Sequence, residues 1–336
     1  MEHYNIIIEA NIPFARGIFD RYANVRYLPA NEITPEVMRD TDALMTRTRT
    51  RCDATLLGGS RCREIASATI GLDHVDTTWC ESHGIHIDNA PGCNAPAVAQ
   101  YVMAAAISAY GTDLRGITIG IIGVGNVGKV VKAWAESLGM RVLACDPPRA
   151  RMEGGEGFCT LEQIEREADI VTIHTPLTRD GDYPTFHLMD ERFFNALERS
   201  PMIINSARGA VVDTPALLAA IKSGKVRHAV IDCWEGEPDI NRELLDLCYI
   251  ATPHIAGYSR QGKIRATAMA AQALARALAL PDPELEVEVP APAPEKVTPE
   301  QITDTYDPMA DTAALLRDPS QFEYLRNNYH LREEPL

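Results

Sequence analysis

Short apolar runs alternate with longer, partly polar segments along the first part of the chain. The runs predict five strands, at residues 5–9, 25–28, 43–48, 64–69 and 85–88. The segments between them predict helices, among them residues 13–22 and 35–40. Regular alternation of strands and helices is typical of a parallel, doubly wound sheet.

A second alternating unit follows a long apolar helix at residues 95–110. It predicts six further strands, at residues 117–123, 141–146, 170–175, 202–206, 229–233 and 249–252. A further alanine-rich helix is predicted at residues 261–280, long enough to cross back to the first unit. The fold class is therefore α/β, with two doubly wound parallel-sheet (Rossmann-like) domains.

Two helices of the second unit carry clear terminal signals. Thr160 and Gln163 have the spacing of a capping box, which opens one helix. Thr214 is predicted to be an N-cap, with Pro215 in the first helical position and Gly224 just past the end.

The last fifty residues differ in composition from the two α/β units. Residues 281–300 carry prolines and acidic residues, which predict a linker or an edge segment. Residues 305–336 are partly helical in pattern and short of core residues. We therefore expect this tail to dock on something else, most simply on a second copy of the protein.

Composition and charge exclude several classes of protein. The chain has 336 residues, 46% of them hydrophobic, and a formal net charge of −15, which disfavours binding to nucleic acid or to an anionic membrane. No apolar run approaches the length of a membrane span, and the first residues do not predict a signal peptide. The eight cysteines lack metal-ligand spacing, so we expect reduced thiols in a cytoplasmic protein and no metal site.

The strongest local motif links the second unit to a dinucleotide. The strand at 117–123 runs into Gly123-x-Gly125-x-x-Gly128, a helix follows, and the next strand ends at Asp146. Such glycines allow a tight turn and a close approach of backbone to pyrophosphate, which the helix N-terminus stabilises. Asp146 is placed to accept both ribose hydroxyls and to repel a 2′-phosphate, which favours NAD over NADP. The alternative is a glycine turn that only packs strand against helix.

Three polar residues follow predicted strands of this unit: Arg208, Glu237 and His254. An imidazole can exchange a proton with a substrate hydroxyl, a carboxylate can orient the imidazole, and a guanidinium can hold a substrate carboxylate. Spacing alone does not show that they meet. Each also has an ordinary alternative: a helix-cap ion pair for Arg208, a loop acid for Glu237 and a buried, hydrogen-bonded histidine for His254.

Taken together, these segments resemble a known family. The strings GIIGVGNVG, SARGAVVD, WEGEP and PHIAG are similar to those of the D-isomer-specific 2-hydroxyacid dehydrogenases. Other strings resemble the branch of that family whose substrate is 4-phospho-D-erythronate, in pyridoxal 5′-phosphate (vitamin B6) biosynthesis: EANIPFAR, DALMTRTRT, ATIGLDHVD, APGCNA, CDPPRA, HTPLTRDG and PHIAGYSRQGK. The resemblance covers roughly residues 4–290, and FEYLRNNYHLRE resembles the family's C-terminal dimerisation region more loosely.

The resemblance implies a role for each matched position. His254 would take the proton of the C2 hydroxyl, Glu237 would support it, and Arg208 would hold the substrate carboxylate and the C2 oxygen. The implied cofactor is NAD, bound by Gly123, Gly125, Asn126, Val127, Gly128, Asp146, Thr175, Ser206, Ala207, Asp232 and Gly257. The implied substrate contacts are Thr48, Thr69 and Tyr258. Gln100 stands where the resemblance leads us to expect an acid.

The implied domains are a substrate-binding (catalytic) domain at 1–93 and 258–285, an NAD-binding domain at 94–257 and a dimerisation segment at 286–336. The predicted assembly is a homodimer.

A run of alternating threonines and arginines, from Thr46 to Arg51, lies in the substrate domain. As a strand, it would place its threonines on one face and its arginines on the other. It is either a solvated strand end or, in so acidic a chain, a site for an anion such as the substrate phosphate. Arg47, beside Thr48, is the first candidate for that contact.

The sequence leaves two rivals to this hypothesis. One is the same chemistry on another 2-hydroxy acid, such as phosphoglycerate, glycerate or glyoxylate. The other is a non-catalytic regulator that senses NAD(H) on the same scaffold, such as a transcriptional corepressor.

Overall fold

The computed structural model describes residues 4–335, and these form two compact units. One unit runs up to Asn94 and includes Arg260–Pro292, and the other is made of Ala95–Ser259 and the chain from Ala293 onward. Residues 1–3 and 336, which the predicted substrate domain and tail include, lie outside the described residues. The unit boundaries fall near residues 94, 259 and 292, beside the predicted 93, 257 and 285.

The strands are short and all pair in parallel. They are β1 (Asn5–Glu9), β2 (Asn24–Leu28), β3 (Ala43–Thr46), β4 (Glu64–Ser67), β5 (His86–Asp88), β6 (Thr118–Ile122), β7 (Arg141–Cys145), β8 (Ile170–Ile173), β9 (Met202–Asn205), β10 (His228–Ile231) and β11 (Ile250–Ala251).

Most helices are short, and two are long. They are α1 (Pro35–Met38), α2 (Ala54–Leu57), α3 (Thr77–Ser82), α4 (Ala95–Tyr110), α5 (Asn126–Ser137), α6 (Pro147–Glu153), α7 (Leu161–Glu167), α8 (Glu191–Ala196), α9 (Thr214–Lys222), α10 (Arg242–Leu247), α11 (Arg260–Ala277), α12 (Pro299–Thr303), α13 (Pro308–Arg317) and α14 (Phe322–Asn327).

The sheet of the first unit has the order β2-β1-β3-β4-β5. Alternate residues of β1 face opposite layers: Ile6 and Ile8 pack with Ala270 of α11, whereas Ile7 packs on the other side with Met38. The order reverses between β1 and β3, so the carboxyl ends of these two strands flank a crevice. Ligands bind at such reversal points in open α/β sheets.

The second unit repeats this plan in the order β11-β10-β9-β8-β6-β7, with its reversal between β6 and β8. Both faces of the sheet are covered by apolar layers, one with α4 and α5 and the other with α8 and α9. The predicted fold class, two doubly wound parallel sheets, is therefore confirmed.

Three local predictions are wrong. Residues 13–22 form successive turns rather than a helix, although Phe19 and Ile18 are buried as an amphipathic helix would have them. The N-cap of α9 is Asp213, whose carboxylate accepts from the N–H of Ala216, so Thr214 is the first helical residue. The run from Thr46 to Arg51 is not a strand, because β3 ends at Thr46 and the chain bends over the next residues.

The tail packs on its own unit, so the expectation that it is short of core residues is also wrong. Ile302, Leu315 and Phe322 are fully or almost fully buried, the first in the layer of α4 and the others in the layer of α8 and α9. These apolar residues are spread over three short helices, so no single stretch shows a strong pattern. Whether the tail also joins two copies of the protein stays a prediction.

Among residues 4–335, no helix combines the length and the apolar character needed to cross a membrane.

Candidate active site

A glycine turn connects β6 to α5 at the reversal point of the second sheet. Gly123 has a φ of +88°, and a Cβ there would lie 2.7 Å from the carbonyl oxygen of His174. A Cβ on Gly128 would lie 2.1 Å from the carbonyl oxygen of Gly123. Gly125 is exposed and has open space beside it. Two glycines are thus required by packing, and the third leaves room at the N-terminus of α5, where a phosphate would meet free N–H groups.

Asp146 ties the end of β7 to this turn. Its Oδ2 accepts a hydrogen bond from the N–H of Val124 at 2.8 Å, and its Oδ1 accepts from the N–H of Arg149 at 3.1 Å and caps α6. The carboxylate is half-buried, and each oxygen keeps a lone pair for a hydroxyl. It is therefore held in the place that the dinucleotide hypothesis assigns to the ribose acceptor.

Two hydroxyl oxygens beyond the next strands are buried without a hydrogen-bond partner: Oγ1 of Thr175, after β8, and Oγ of Ser206, after β9. Burying a hydroxyl without a partner is costly, so such atoms indicate that a polar ligand completes them. Thr175 and Ser206 are both predicted cofactor contacts. With the open space at Gly125, they show that the residues present fit a bound dinucleotide.

Two of the three predicted catalytic residues are in direct contact. Nδ1 of His254, which follows β11, lies 2.6 Å from Oε1 of Glu237, which follows β10. His254 has a φ of +56°, and its N–H donates to the carbonyl oxygen of Asp232. The left-handed backbone is unfavourable for a histidine, which suggests that the local structure fixes the direction of its ring.

The charge of Glu237 is stabilised by its neighbours. Burial by itself would raise the pKa of this carboxyl, but the hydrogen bond and the charge of His254, the N–H of Trp234 and the charge of Arg326 together lower it. Glu237 is therefore ionised at neutral pH. A carboxylate in that position fixes the ring orientation of His254 and stabilises a proton on it.

Asp232, a predicted nicotinamide contact, lies beneath the histidine loop and is 1% exposed. Its Oδ1 accepts from the hydroxyl of Thr252 and from the N–H of Ile255, both at 2.7 Å. Burial raises the pKa of this carboxyl. In this structure Asp232 holds the backbone on both sides of His254, and its role toward the cofactor stays a prediction.

Arg208 follows β9, the neighbour of β10, and its Nη1 donates to the carbonyl oxygen of Ala207 at 2.8 Å. The next residue, Gly209, packs directly on the loop of the catalytic carboxylate. A Cβ on Gly209 would lie 2.0 Å from the carbonyl oxygen of Trp234 and 2.4 Å from the nitrogen of Glu235. The loop that carries Arg208 and the loop that carries Glu237 therefore pack backbone against backbone.

The predicted substrate residues of the first unit lie at the carboxyl ends of its strands. Arg47 and Thr48 follow β3 at the reversal point, and Thr69 follows the neighbouring strand β4. Thr48 is exposed, whereas Arg47 and Thr69 are half-buried. The Nε of Arg51 donates to Oδ2 of Asp53 at 2.8 Å, so this third arginine of the run is engaged by a neighbouring carboxylate.

Sequence reasoning missed Glu9, which organises this loop. Glu9 is completely buried at the end of β1, and its Oε2 accepts from the hydroxyls of Thr46 and Thr50 and from the N–H of Arg47. A charged residue that ends an apolar strand is the signal that could have found it. Gly209 carries no comparable signal, because its importance arises from a contact with a distant loop.

One group of possible metal ligands was not expected from the sequence. Glu64, His86 and Asp88 lie together on β4 and β5, with Nδ1 of His86 3.1 Å from Oε2 of Glu64. Arg276 of α11 already supplies a positive charge 3.9 Å from Asp88. We therefore describe the group as a cluster of ion pairs.

Comparison with known proteins connects this site to an enzyme family. Residues 96–256 match the NAD binding domain of the D-isomer specific 2-hydroxyacid dehydrogenases. The chain is 44% identical over 336 residues to an erythronate-4-phosphate dehydrogenase from Bacteroides fragilis, an alignment that covers 98% of this chain and 97% of that protein. The chain belongs to the erythronate-4-phosphate dehydrogenase family. A relative of the same name from Porphyromonas gingivalis is 41% identical over 98% of this chain and 93% of its own length.

Solved structures of other proteins have a similar fold. The TT0316 protein from Thermus thermophilus is 26% identical, with a TM-score of 0.67 over 84% of this chain and 100% of that one. The D-lactate dehydrogenase from Aquifex aeolicus, solved with NAD and lactic acid, has a TM-score of 0.65 over 78% of this chain and 92% of that one, at 23% identity. The predictions of the family and of an NAD-binding domain are confirmed.

Proposed function

We propose that this protein oxidises 4-phospho-D-erythronate at C2 to (R)-3-hydroxy-2-oxo-4-phosphooxybutanoate, with NAD as the acceptor, in pyridoxal 5′-phosphate biosynthesis. The observation that carries the proposal is the 2.6 Å contact between Nδ1 of His254 and Oε1 of Glu237. This contact lies at the carboxyl edge of a dinucleotide-binding sheet. The full-length similarity to erythronate-4-phosphate dehydrogenases supports the choice of substrate.

The chemistry divides among three side chains. NAD, held by the glycine turn and Asp146, would supply the acceptor for the hydride that leaves C2. His254 takes the proton of the C2 hydroxyl, and the Glu237 carboxylate stabilises the imidazolium that results. Arg208 holds the substrate carboxylate and polarises the C2 oxygen, as a guanidinium does best with two parallel hydrogen bonds.

The reversal point of the first unit supplies the substrate contacts in this proposal. Thr48 and Thr69 hold the hydroxy acid, with Tyr258 from the segment after His254. Arg47 holds the phosphate, because it follows β3 directly and its N–H is anchored to a buried carboxylate. Arg51 pairs with Asp53.

The regulatory alternative is disfavoured by the intact catalytic pair. A protein that only senses NAD(H) needs the glycine turn and Asp146, but it has no use for an imidazole held at 2.6 Å by an ionised carboxylate. Measured turnover separates the two hypotheses directly.

The proposal places the enzyme in the cytoplasm as a homodimer. The cysteines are all free, which suits a reducing compartment. The tail exposes several apolar side chains that a second copy would cover, namely Met309, Leu316 and Tyr324. Sedimentation of a Leu316→Lys, Tyr324→Lys double variant tests the dimer: we expect a folded monomer, and an unchanged dimer would remove the tail from the interface.

The function is tested by a panel of 2-hydroxy acids, with the formation of NADH followed by absorbance. We expect 4-phosphoerythronate to exceed plain erythronate by about 100-fold or more in kcat/KM, because erythronate leaves the phosphate-binding groups unpaired. Comparable rates on both acids, or faster oxidation of phosphoglycerate or glycerate, would replace the substrate that we propose.

Two variants assign the roles within this reaction. His254→Asn is expected to lose about 100- to 10,000-fold in kcat and to keep NADH binding, because the cofactor lies on other residues. Arg47→Ala is expected to weaken 4-phosphoerythronate far more than erythronate. An equal loss on both substrates would assign Arg47 to the carboxylate end or to folding.

A further inference from the structure

The tail places a positive charge beside the catalytic pair. Nη1 of Arg326, on α14, lies 3.9 Å from Oε1 of Glu237, the same oxygen that faces Nδ1 of His254. The other carboxylate oxygen, Oε2, accepts from the N–H of Trp234 at 3.1 Å. The histidine and the arginine therefore share one oxygen of the Glu237 carboxylate.

We propose that Arg326 is a positioning residue of the acid–base pair. Its positive charge keeps Glu237 ionised and disfavours an added proton on the nearby His254. Arg326 therefore sets the lowest pH at which His254 accepts the substrate proton. This inference rests on the proposed function, in which His254 is the base.

Arg326 is held in place from several sides. Its side chain is 19% exposed and lies beside Glu323, whose Oε1 is 3.6 Å away. It also makes a side-chain hydrogen bond with Tyr258, four residues after His254. The helix that carries it is anchored by Phe322, which is 1% exposed in the core of the NAD-binding unit. A guanidinium fixed in this way acts as a stable charge rather than as a mobile surface group.

A second arginine anchors the chain beyond α14 to the histidine loop. Arg332 is buried, and its guanidinium donates to the carbonyl oxygens of Ile255 and Ala256, the two residues after His254. It also donates to Oε1 of Gln100 on α4, at 2.9 Å. Gln100 thus has a defined role: it links the tail to the helix that opens this unit. The tail and the histidine loop are one connected structure.

Other charged and titratable groups surround the pair, and their signs differ. The carboxyl of Asp232 and the thiol of Cys233 lie directly after β10, and Glu323 lies on α14. Arg208 also contributes a positive charge nearby, since its charge and that of Arg326 both act on Cys233. Tyr258 contributes a hydroxyl that is hydrogen-bonded to Arg326. Arg326 is a positive group that approaches the shared oxygen of Glu237, at 3.9 Å.

The electrostatic consequence has a definite sign. A positive charge about 4 Å from a carboxylate favours the ionised form of that carboxylate. The same charge repels a proton on the neighbouring imidazole. Removing it lets the His254–Glu237 pair hold its proton to a higher pH, so the oxidation loses activity first on the acid side.

The test is the pH profile of kcat/KM for oxidation of 4-phosphoerythronate. Arg326→Gln is expected to raise the midpoint of the acid limb by about half to one pH unit, with less than about a threefold change on the alkaline side of that limb. Arg326→Lys, which restores the charge, is expected to bring the midpoint back toward that of the wild type. Arg317→Gln on α13 removes an exposed charge from the same tail and is expected to leave the profile unchanged.

Arg326→Met is a second neutral variant, for use if the Arg326→Gln protein does not fold. The fluorescence of bound NADH reports whether the NAD-binding unit is folded in each variant. An unmoved midpoint in the folded neutral variant overturns the proposal. So does a raised KM with an unmoved midpoint, which would make Arg326 a substrate contact. If His254→Asn keeps its turnover, the proposed function itself fails. If His254→Asn is inactive and the midpoint does not move, only the role of Arg326 fails.

Discussion

The buried carboxylate of Glu9 accepts a hydrogen bond from the backbone N–H of Arg47 at 3.1 Å. The same oxygen accepts from the hydroxyls of Thr46 and Thr50, at 2.8 and 3.0 Å. One side chain at the end of β1 thus fixes both ends of the loop after β3. The loop that carries Arg47, the proposed phosphate contact, is therefore held in place by the buried carboxylate of Glu9.

The first prediction concerns this support. Glu9→Ala removes all three hydrogen bonds, so we expect the KM for 4-phosphoerythronate to rise at least tenfold, while NADH binding changes little. Glu9→Gln is the matched control. Its amide oxygen can keep the three bonds, because Oε1 of Glu9 has no partner and its place can take the NH₂ group. If both variants keep the KM of the wild type, Glu9 serves stability alone.

The second prediction concerns Gly209. A methyl group there would overlap the backbone of Trp234 and Glu235, which cannot move without displacing Glu237. We expect Gly209→Ala to lower the free energy of unfolding by about 1–3 kcal/mol and kcat by more than about 100-fold.

Gly125→Ala is the contrasting variant, since a Cβ there has open space. It is expected to fold with wild-type stability and to bind NADH more weakly. Denaturant unfolding and fluorescence titration measure these effects. Full activity in Gly209→Ala would mean that the two loops separate freely.

The third prediction concerns the choice of cofactor. The wild type should strongly prefer NAD, because a 2′-phosphate would meet the carboxylate of Asp146. Asp146→Ser should narrow that preference, and it should also loosen the glycine turn, since Val124 loses its acceptor. Asp146→Asn keeps an acceptor without the charge and separates these effects. Equal use of NADP by the wild type would contradict the role of Asp146.

The fourth prediction concerns pH and stability. Burial raises the pKa of Glu64 to about 7, against the attraction of His86. The folded state therefore keeps a proton on Glu64 that the unfolded state has lost above about pH 4.5. The contribution of Glu64 to the free energy of unfolding therefore falls as the pH rises from about 4.5 to about 7, and it changes little at higher pH.

Glu64→Gln should consequently raise the free energy of unfolding at pH 8 by about 2 kcal/mol and change it much less at pH 5. Urea unfolding at the two pH values measures the difference, with Glu81→Gln, an exposed acid on α3, as the control. A gain of equal size at both pH values would assign the effect to packing.

The sequence predicted most of the strands well because the inner strands of these sheets are buried on both faces and are short, mostly apolar runs. Residues 5–9 are predicted and found as β1, and the long apolar α4 is found at its predicted bounds. The segment at 13–22 failed because burial of Ile18 and Phe19 does not require a helix. The strand predicted from the alternation after Thr46 is absent for another reason. Glu9 accepts hydrogen bonds from Arg47 and Thr50, and the chain bends between these two residues. These contacts join residues about forty positions apart, so the local pattern does not show them.

The candidate site was predictable where a motif is local. The glycine turn and Asp146 lie within one βαβ unit, so their spacing predicts their placement. The pairing of Glu237 with His254 depends on two neighbouring strands and was supplied by resemblance. Arg326 and Gly209 act through contacts with distant loops, so the strings that contain them, FEYLRNNYHLRE and SARGAVVD, do not show what these two residues do.

Both units are assembled from pieces that are distant along the chain. The core of the first includes Ala270 and Leu274 of α11, and that of the second includes Leu315 and Phe322 of the tail. During synthesis on the ribosome, neither core is complete until these late residues have left the exit tunnel. The emerging chain therefore exposes an unfinished apolar layer in each unit until these residues have been made, and the catalytic pair receives its arginine only after every strand of its sheet has been made.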